Sequence, residues 1–140
     1  MVDVFSEEKR REIMASVKGR DTKPEKIVRS LVHRMGFRFS LHRKDLPGKP
    51  DIVLPRYEKV IFVHGCFWHG HANCRKATIP ATNTAFWTEK IAKNRIRDMK
   101  TKRQLRRQGW QVLVVWECEI ARTEKLIRKL HKFLEPDNKR

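Results

Sequence analysis

The stretch VHGCFWHGHANC, residues 63–74, gathers two cysteines, three histidines and two large aromatics into twelve positions. Cys66, His71 and Cys74 follow the spacing Cys-x4-His-x2-Cys, and Cys118 comes one glutamate after the apolar run WQVLVVW. Three thiolates and one imidazole are the donor set of a closed, structural zinc site. This uses every cysteine of the chain, whose odd number, three, is unsuited to a disulfide framework. The competing reading, cysteines as small buried hydrophobes, fits poorly because Cys66 and Cys74 stand in a polar loop. Zinc would pin that loop to the end of a distant strand, and such ligation supplies on the order of 10 kcal/mol.

Ligation by Cys66 and His71 would turn Phe67, Trp68 and His69 outward as the tip of a metal-held loop. Rigid exposed aromatics stack on bases or wedge between base pairs. The alternative is that the two rings fill the core beneath the loop, where tryptophan is usually found. Further chemistry lies outside the cysteines. Asp51 opens a strand directly after Pro50, His64 ends the next strand, and Glu25 stands in the first turn of a helix. An acidic residue at a strand end facing a neighbouring strand end commonly holds Mg²⁺ against a phosphate. Each has a plainer alternative: Asp51 as a turn residue, Glu25 as a capping-box acid, His64 and His69 as hydrogen-bonded structural histidines.

The elements that must position these residues follow from periodicity. Ser6 with Glu7 and Glu8 starts a helix whose Ile13, Met14 and Val17 share a side. The segment GRDTKP breaks it, and Thr22-Lys23-Pro24-Glu25 has capping-box spacing. Ile27, Val28, Leu31, Val32 and Met35 form the next helical stripe, with Gly36 as its stop. Alternation in FRFSL places Phe37, Phe39 and Leu41 on one strand face, and DLPGKP turns the chain. DIVLP and KVIFVH read as neighbouring paired strands. A basic helix runs from about Thr84 to Gln108 and ends at Gly109. WQVLVVW reads as a buried strand, and ARTEKLIRKLHKFL as a helix with Leu126, Ile127, Leu130, Phe133 and Leu134 on one face. The expected fold is α/β, a mixed central sheet flanked by helices.

The 140 residues suit a single domain, 1–140, with residues 1–20 as an amino-terminal DNA-contacting arm and 135–140 as a charged tail. Lys+Arg number 33 against 16 Asp+Glu, a net charge of +17, which implies a polyanionic partner and nucleic acid first. Lys90, Lys93, Arg95, Arg97, Lys100, Lys102, Arg103, Arg106 and Arg107 crowd the basic helix against Glu89 and Asp98 alone. No run of apolar residues approaches a membrane span, and the acidic residues near the start do not suit a secretory signal. A soluble intracellular protein is the expectation.

PDIVLP, VIFVHGCFWHGHANC, FWTEKIAKNRIRD, GWQVLVVWECE and MASVKGRDTKPE together closely resemble the very short patch repair (Vsr) DNA mismatch endonucleases, over roughly residues 6–134. The resemblance implies a restriction-endonuclease-like core. It also implies a bacterial cytoplasmic enzyme that nicks one strand 5′ to the thymine of a T·G mismatch left by 5-methylcytosine deamination. Carried over by position, Asp51 would be the principal Mg²⁺ ligand and the Val63 carbonyl a further one. His69 would be the general base, oriented by Glu25, with His64 beside the scissile phosphate. Phe67, Trp68 and Trp87 would form the intercalating wedge, and Cys66, His71, Cys74 and Cys118 would hold the zinc. The partner would be double-stranded DNA bearing a T·G mismatch, with repair proteins as possible further partners and a monomer as the acting species. Where some members carry histidines around positions 70–72, this chain has Gly70, Ala72 and Asn73. Two other readings of the residues stand beside this one: a restriction-type nuclease for matched DNA, and a zinc-held binder of distorted DNA that does not cut.

Overall fold

The computed structural model describes residues 22–41 and 43–135. The helix expected from Ser6, the arm over residues 1–20 and the tail beyond Glu135 lie outside these residues. Helix α1 (Lys23–Arg34) begins as the capping box anticipates, with the Thr22 side chain accepting from the Glu25 N–H at 3.4 Å and Pro24 in the first turn. Gly36, at φ +88°, takes the left-handed turn that ends it.

Four strands form one sheet among the described residues, in the order β1 (Ser40–Leu41), β2 (Ile52–Leu54), β3 (Lys59–His64), β4 (Gln111–Trp116). β1–β2 and β2–β3 are antiparallel, and β3–β4 is parallel from Lys59↔Gln111 to His64↔Trp116. A parallel pair requires a long crossover, and here it carries the cysteine loop and α2 (Thr84–Arg107). Helix α3 (Thr123–Leu134) closes the described fold.

Both faces of the sheet are covered, which explains the unbroken apolar runs of β2 and β3. Ile52, Leu54, Ile61 and Val115 pack against Val28 and Val32 of α1 and Leu126, Leu130 and Leu134 of α3. Val53, Val60 and Phe62 face the other way, against Leu46 and Leu105 of α2. The three α3 leucines are fully buried, each stabilising the fold by about 1.5–3 kcal/mol.

Three expectations need correction. The strand read from FRFSL shrinks to Ser40–Leu41; Phe37 and Phe39 pack on the core just before it, while Leu41 is exposed. β4 is half-buried apart from exposed Gln111 and buried Val115, because it borders the described sheet with one strand neighbour. On α3 the buried stripe is the strict i, i+4 series, so Ile127 falls outside it and is exposed.

Candidate active site

Asp51 stands immediately before β2, and its Oδ2 accepts the Val63 N–H at 2.6 Å. The turn delivering it is pressed onto α2: Gly48 has φ +72°, and a Cβ there would collide with Thr101. Burial, and after it the hydrogen-bonding Glu25 carboxyl, push the Asp51 carboxyl up to about 8, against the opposing Val63 N–H and Arg29 charge. Arg29 Nη2 donates to Glu25 Oε2 at 3.2 Å. Two buried carboxyl groups held together this way fit a hard divalent cation, whose charge would relieve the repulsion that otherwise keeps a proton on Asp51.

One residue beyond Val63, the His64 ring stacks on His69, centroids 3.7 Å apart and planes within 2°. Burial, and then the neighbouring His69 charge, hold the His64 imidazole down at about 3. Histidine 69 therefore lies against the strand end that carries Asp51's hydrogen-bond partner. Its orienting carboxylate is not the expected one. Glu25 pairs with Arg29 and Asp51, whereas His69 Nδ1 lies 2.6 Å from Asp98 Oδ2. The reason is the course of the elements: α1 packs beside the start of β2, while α2 runs beneath the loop bearing His69. Burial alone would raise the Asp98 carboxyl, but the hydrogen bond to His69 and nearby positive charge hold it below the usual range.

The loop is seated on one stripe of α2, Trp87, Ile91, Asn94 and Asp98, at i, i+4, i+7 and i+11. Asn94 Nδ2 donates to the Trp68 carbonyl at 2.9 Å and Asn94 Oδ1 accepts from Arg97 Nη2 at 3.0 Å. Gly70, at φ +59°, allows the closest approach, since a Cβ there would lie 2.6 Å from Ile91 Cγ2. Phe67 and Trp68 do not point outward as expected. With Trp87 they form an edge-to-face cluster, centroids 5.3–5.7 Å apart, closed by Ile91 and Ile79. Only 8%, 6% and 4% of Phe67, Trp68 and Trp87 is exposed. Bulky aromatic surface outweighs loop tension here, and the core-filling alternative describes this state. The cluster is imperfect in one respect: among the described residues, the buried indole N–H groups of Trp68 and Trp87 have no acceptor.

Cys66, His71, Cys74 and Cys118 converge, with one donor atom from each within 4.8 Å of the others. The Cys118 N–H donates to Cys66 Sγ at 3.4 Å, and Cys118 Sγ lies 3.5 Å from His71 Nδ1. The parallel register explains the meeting, because Cys66 and Cys118 each stand two residues past the paired His64 and Trp116. Burial pushes the Cys66 thiol up to about 12, a penalty on the thiolate that a bound divalent cation would remove. Three soft sulfur donors and one imidazole at this separation fit a tetrahedral ion.

The cationic side chains of α2 mostly lie away from this stripe, nearly all of them exposed. Lys102, Arg103, Arg106 and Arg107, with Met99, line a surface depression of about 490 Å³. A carboxyl pair and a carboxylate-bonded histidine pair at one end of a mixed sheet, with a cationic helix packed along its face, are the equipment of a nuclease.

Comparison with known proteins agrees. Residues 2–76 match the family described as DNA mismatch endonuclease Vsr. The chain is 49% identical over 136 residues to the type II nicking enzyme V.XorIIP of Xanthomonas oryzae pv. oryzae, covering 97% of this chain and 99% of that one. It is 44% identical to the type II nicking enzyme V.NmeAIP of Neisseria meningitidis (93% and 97% covered). It is 45% identical to the DNA mismatch endonuclease Vsr of Escherichia coli K12 (90% and 80% covered). The chain belongs to the Vsr family of DNA mismatch endonucleases; it is a DNA endonuclease with that family's restriction-endonuclease-like core. No helix among the described residues is long and apolar enough to cross a membrane.

Proposed function

We propose that the protein nicks one strand of duplex DNA on the 5′ side of the thymine in a T·G mismatch, with Mg²⁺ at Asp51 and zinc in the cysteine cluster. The observation that carries the catalytic reading is the contiguity of groups. Asp51 is tied to the Val63 amide, His64 follows Val63, and His69 is stacked on His64 while bonded to Asp98.

Asp51 and the Val63 carbonyl would hold the Mg²⁺, with Glu25 beside Asp51. When bound, the ion supplies charge stabilisation at the phosphate and acidifies water. His69 accepts the proton of the attacking water, and Asp98 fixes its tautomer and stabilises the imidazolium that forms. His64, kept neutral by burial, is available as a hydrogen-bonding group beside the phosphate. Phe67, Trp68 and Trp87 are the wedge, stored among themselves in the free protein and re-buried between bases in the complex. Unstacking costs a few kcal/mol per step and less where pairing is already faulty, which favours a wobble pair. The cationic face of α2 supplies phosphate affinity.

Nicking assays on T·G and matched duplexes of the same sequence, with and without Mg²⁺, test this. One strand cut, on the mismatched duplex, in Mg²⁺ alone is expected. Equal cutting of both duplexes would assign a restriction-type nuclease, and tight binding without cutting a non-catalytic binder. Trp68→Ala should reduce mismatch preference more than overall affinity; equal loss on both duplexes would make the ring a packing residue.

A further inference from the structure

Between the cysteine cluster and the histidine pair stands Trp116. It ends β4, opposite His64 in the parallel register. Its ring stacks on His71 of the cysteine cluster, centroids 4.1 Å apart and planes within 7°. His64 meets it edge-on at 5.4 Å and 74°, and His69 at 6.5 Å and 72°. One unbroken series of rings therefore runs His71, Trp116, His64, His69, and it ends on Asp98. The register contributes to this geometry: His64 and Trp116 are paired at the ends of β3 and β4, so their side chains leave the same face of the sheet.

The backbone that carries the indole is also held firmly. The Trp116 main-chain N–H donates to Glu119 Oε1 at 2.8 Å, and Glu119 is gripped by Lys129 of α3 at 2.7 and 2.9 Å. Lys129 Nζ donates in addition to the Val114 carbonyl of β4 at 2.9 Å. A rigid flat ring on a backbone braced in this way can transmit position from one neighbour to another, because packed groups shift discretely rather than deform.

We propose that Trp116 is a positioning residue: it passes the fixed geometry of the Cys66–His71–Cys74–Cys118 cluster to the His64–His69 pair. The cluster then does more than hold the loop; through Trp116 it sets where His69 presents its proton-accepting nitrogen. The inference rests on the nicking reading above for its catalytic consequence, though not for the placement of His69 itself.

The test compares Trp116→Leu and Trp116→Phe with the parent, each zinc-loaded as purified. Four quantities are read: zinc per chain, affinity for a T·G duplex, single-turnover nicking rate at saturating DNA, and the downfield Nδ1–H proton signal of His69. A displacement near 1 Å can cost about 10²-fold in rate. Trp116→Leu should therefore keep its zinc and bind DNA within about twofold of the parent while nicking about 10²-fold slower, a loss in turnover rather than binding. Its His69 proton signal should broaden through exchange with water. Trp116→Phe, which keeps an aromatic face on His71, should recover to within about tenfold of the parent, with the signal restored.

Parental turnover and an intact His69 signal in Trp116→Leu would overturn the proposal. So would zinc or DNA affinity falling in step with rate in both variants, which would make Trp116 ordinary packing. Should Trp116→Leu fail to fold, Trp116→Met, which likewise lacks an aromatic face, decides: a turnover loss with zinc and affinity retained upholds the role, and parental turnover refutes it. If the parent itself does not nick mismatched DNA while the His69 signal still responds to Trp116→Leu, the nicking reading falls and the positioning role stands.

Discussion

Replacing Asp98 by asparagine isolates the short carboxylate contact of His69. The substitution keeps the shape of the side chain but removes its charge. At 2.6 Å the bond between His69 Nδ1 and Asp98 Oδ2 is a short, half-buried one, and hydrogen bonds to charged groups contribute about 1.5–3 kcal/mol. In the ground state much of this is shared with neighbouring cations. On the proposed mechanism it becomes fully relevant as His69 takes a proton and needs the carboxylate to balance its charge. Losing it only there lowers the turnover rate about 10- to 150-fold, at about 1.4 kcal/mol per tenfold. The assay is single-turnover nicking of a T·G duplex at saturating Mg²⁺ and DNA, beside DNA affinity and zinc content. Affinity and zinc should hold, and Asp98→Glu should recover part of the rate. A rate within about threefold of the parent, too small for loss of such a bond, would show that His69 does not depend on Asp98.

Other expectations follow from the same geometry. The Asp51 carboxyl, raised from 3.8 to about 8, favours folding fully below pH 3.8, and that contribution is lost as pH rises through about 8. In Mg²⁺-free buffer Asp51→Asn should therefore gain in Tm over the parent as pH climbs from 5 to 9; a pH-independent gap would remove the buried-carboxyl argument. Cys118→Ser leaves three donors, so a competing chelator should strip its zinc at concentrations the parent withstands, with a fall in Tm. Equal retention would exclude Cys118 as a ligand. Arg103→Ala combined with Arg106→Ala should make the log–log salt dependence of DNA binding shallower by about 0.9 for each phosphate that is no longer neutralised. An unchanged slope would place the phosphate-binding cations elsewhere.

What sequence could disclose followed from how each feature is encoded. Capping of α1 at Thr22, the antiparallel pair β2–β3 and the end of α2 near Gly109 are written in neighbouring residues and were legible there. The convergence of Cys118 on Cys66 was legible as chemistry, since every cysteine found a role, though its cause is the β3–β4 register. Asp98 was missed because a lone acid in a run of lysines and arginines reads as a countercharge. Its signal is the spacing Trp87, Ile91, Asn94, Asp98, a buried stripe along a helix whose other positions are mostly polar. Trp116 reads as the last residue of a strand because nothing local marks it; its neighbours His64 and His71 are distant in sequence. The contacts of Glu25 with Arg29 and Asp51 rather than with His69 are hidden for the same reason, as carboxylate–imidazole pairing depends on which helix passes under the loop.

The inward rings bear on specificity. On the wedge reading, Phe67 and Trp68 must leave a cluster in which aromatic side chains each bury about 150–250 Å², so at about 25 cal/mol/Å² exposing both to water costs about 8–12 kcal/mol. Water, however, is not their destination. Rings inserted between bases are buried again, and the Trp68 indole donor, unpartnered where it now lies, leaves a site that penalises it by about 1–3 kcal/mol. Most of the apolar term therefore cancels between the two environments. What remains is the work of separating the base step, a few kcal/mol that a wobble pair reduces. Storing the wedge makes that remainder decisive: if the rings stood exposed, any duplex would relieve them, and selectivity for a defect would be diluted. On the proposed reading, rings held closed by Asn94 and the α2 stripe would emerge only where the helix yields cheaply, and their emergence would draw on the loop whose next residue is His69.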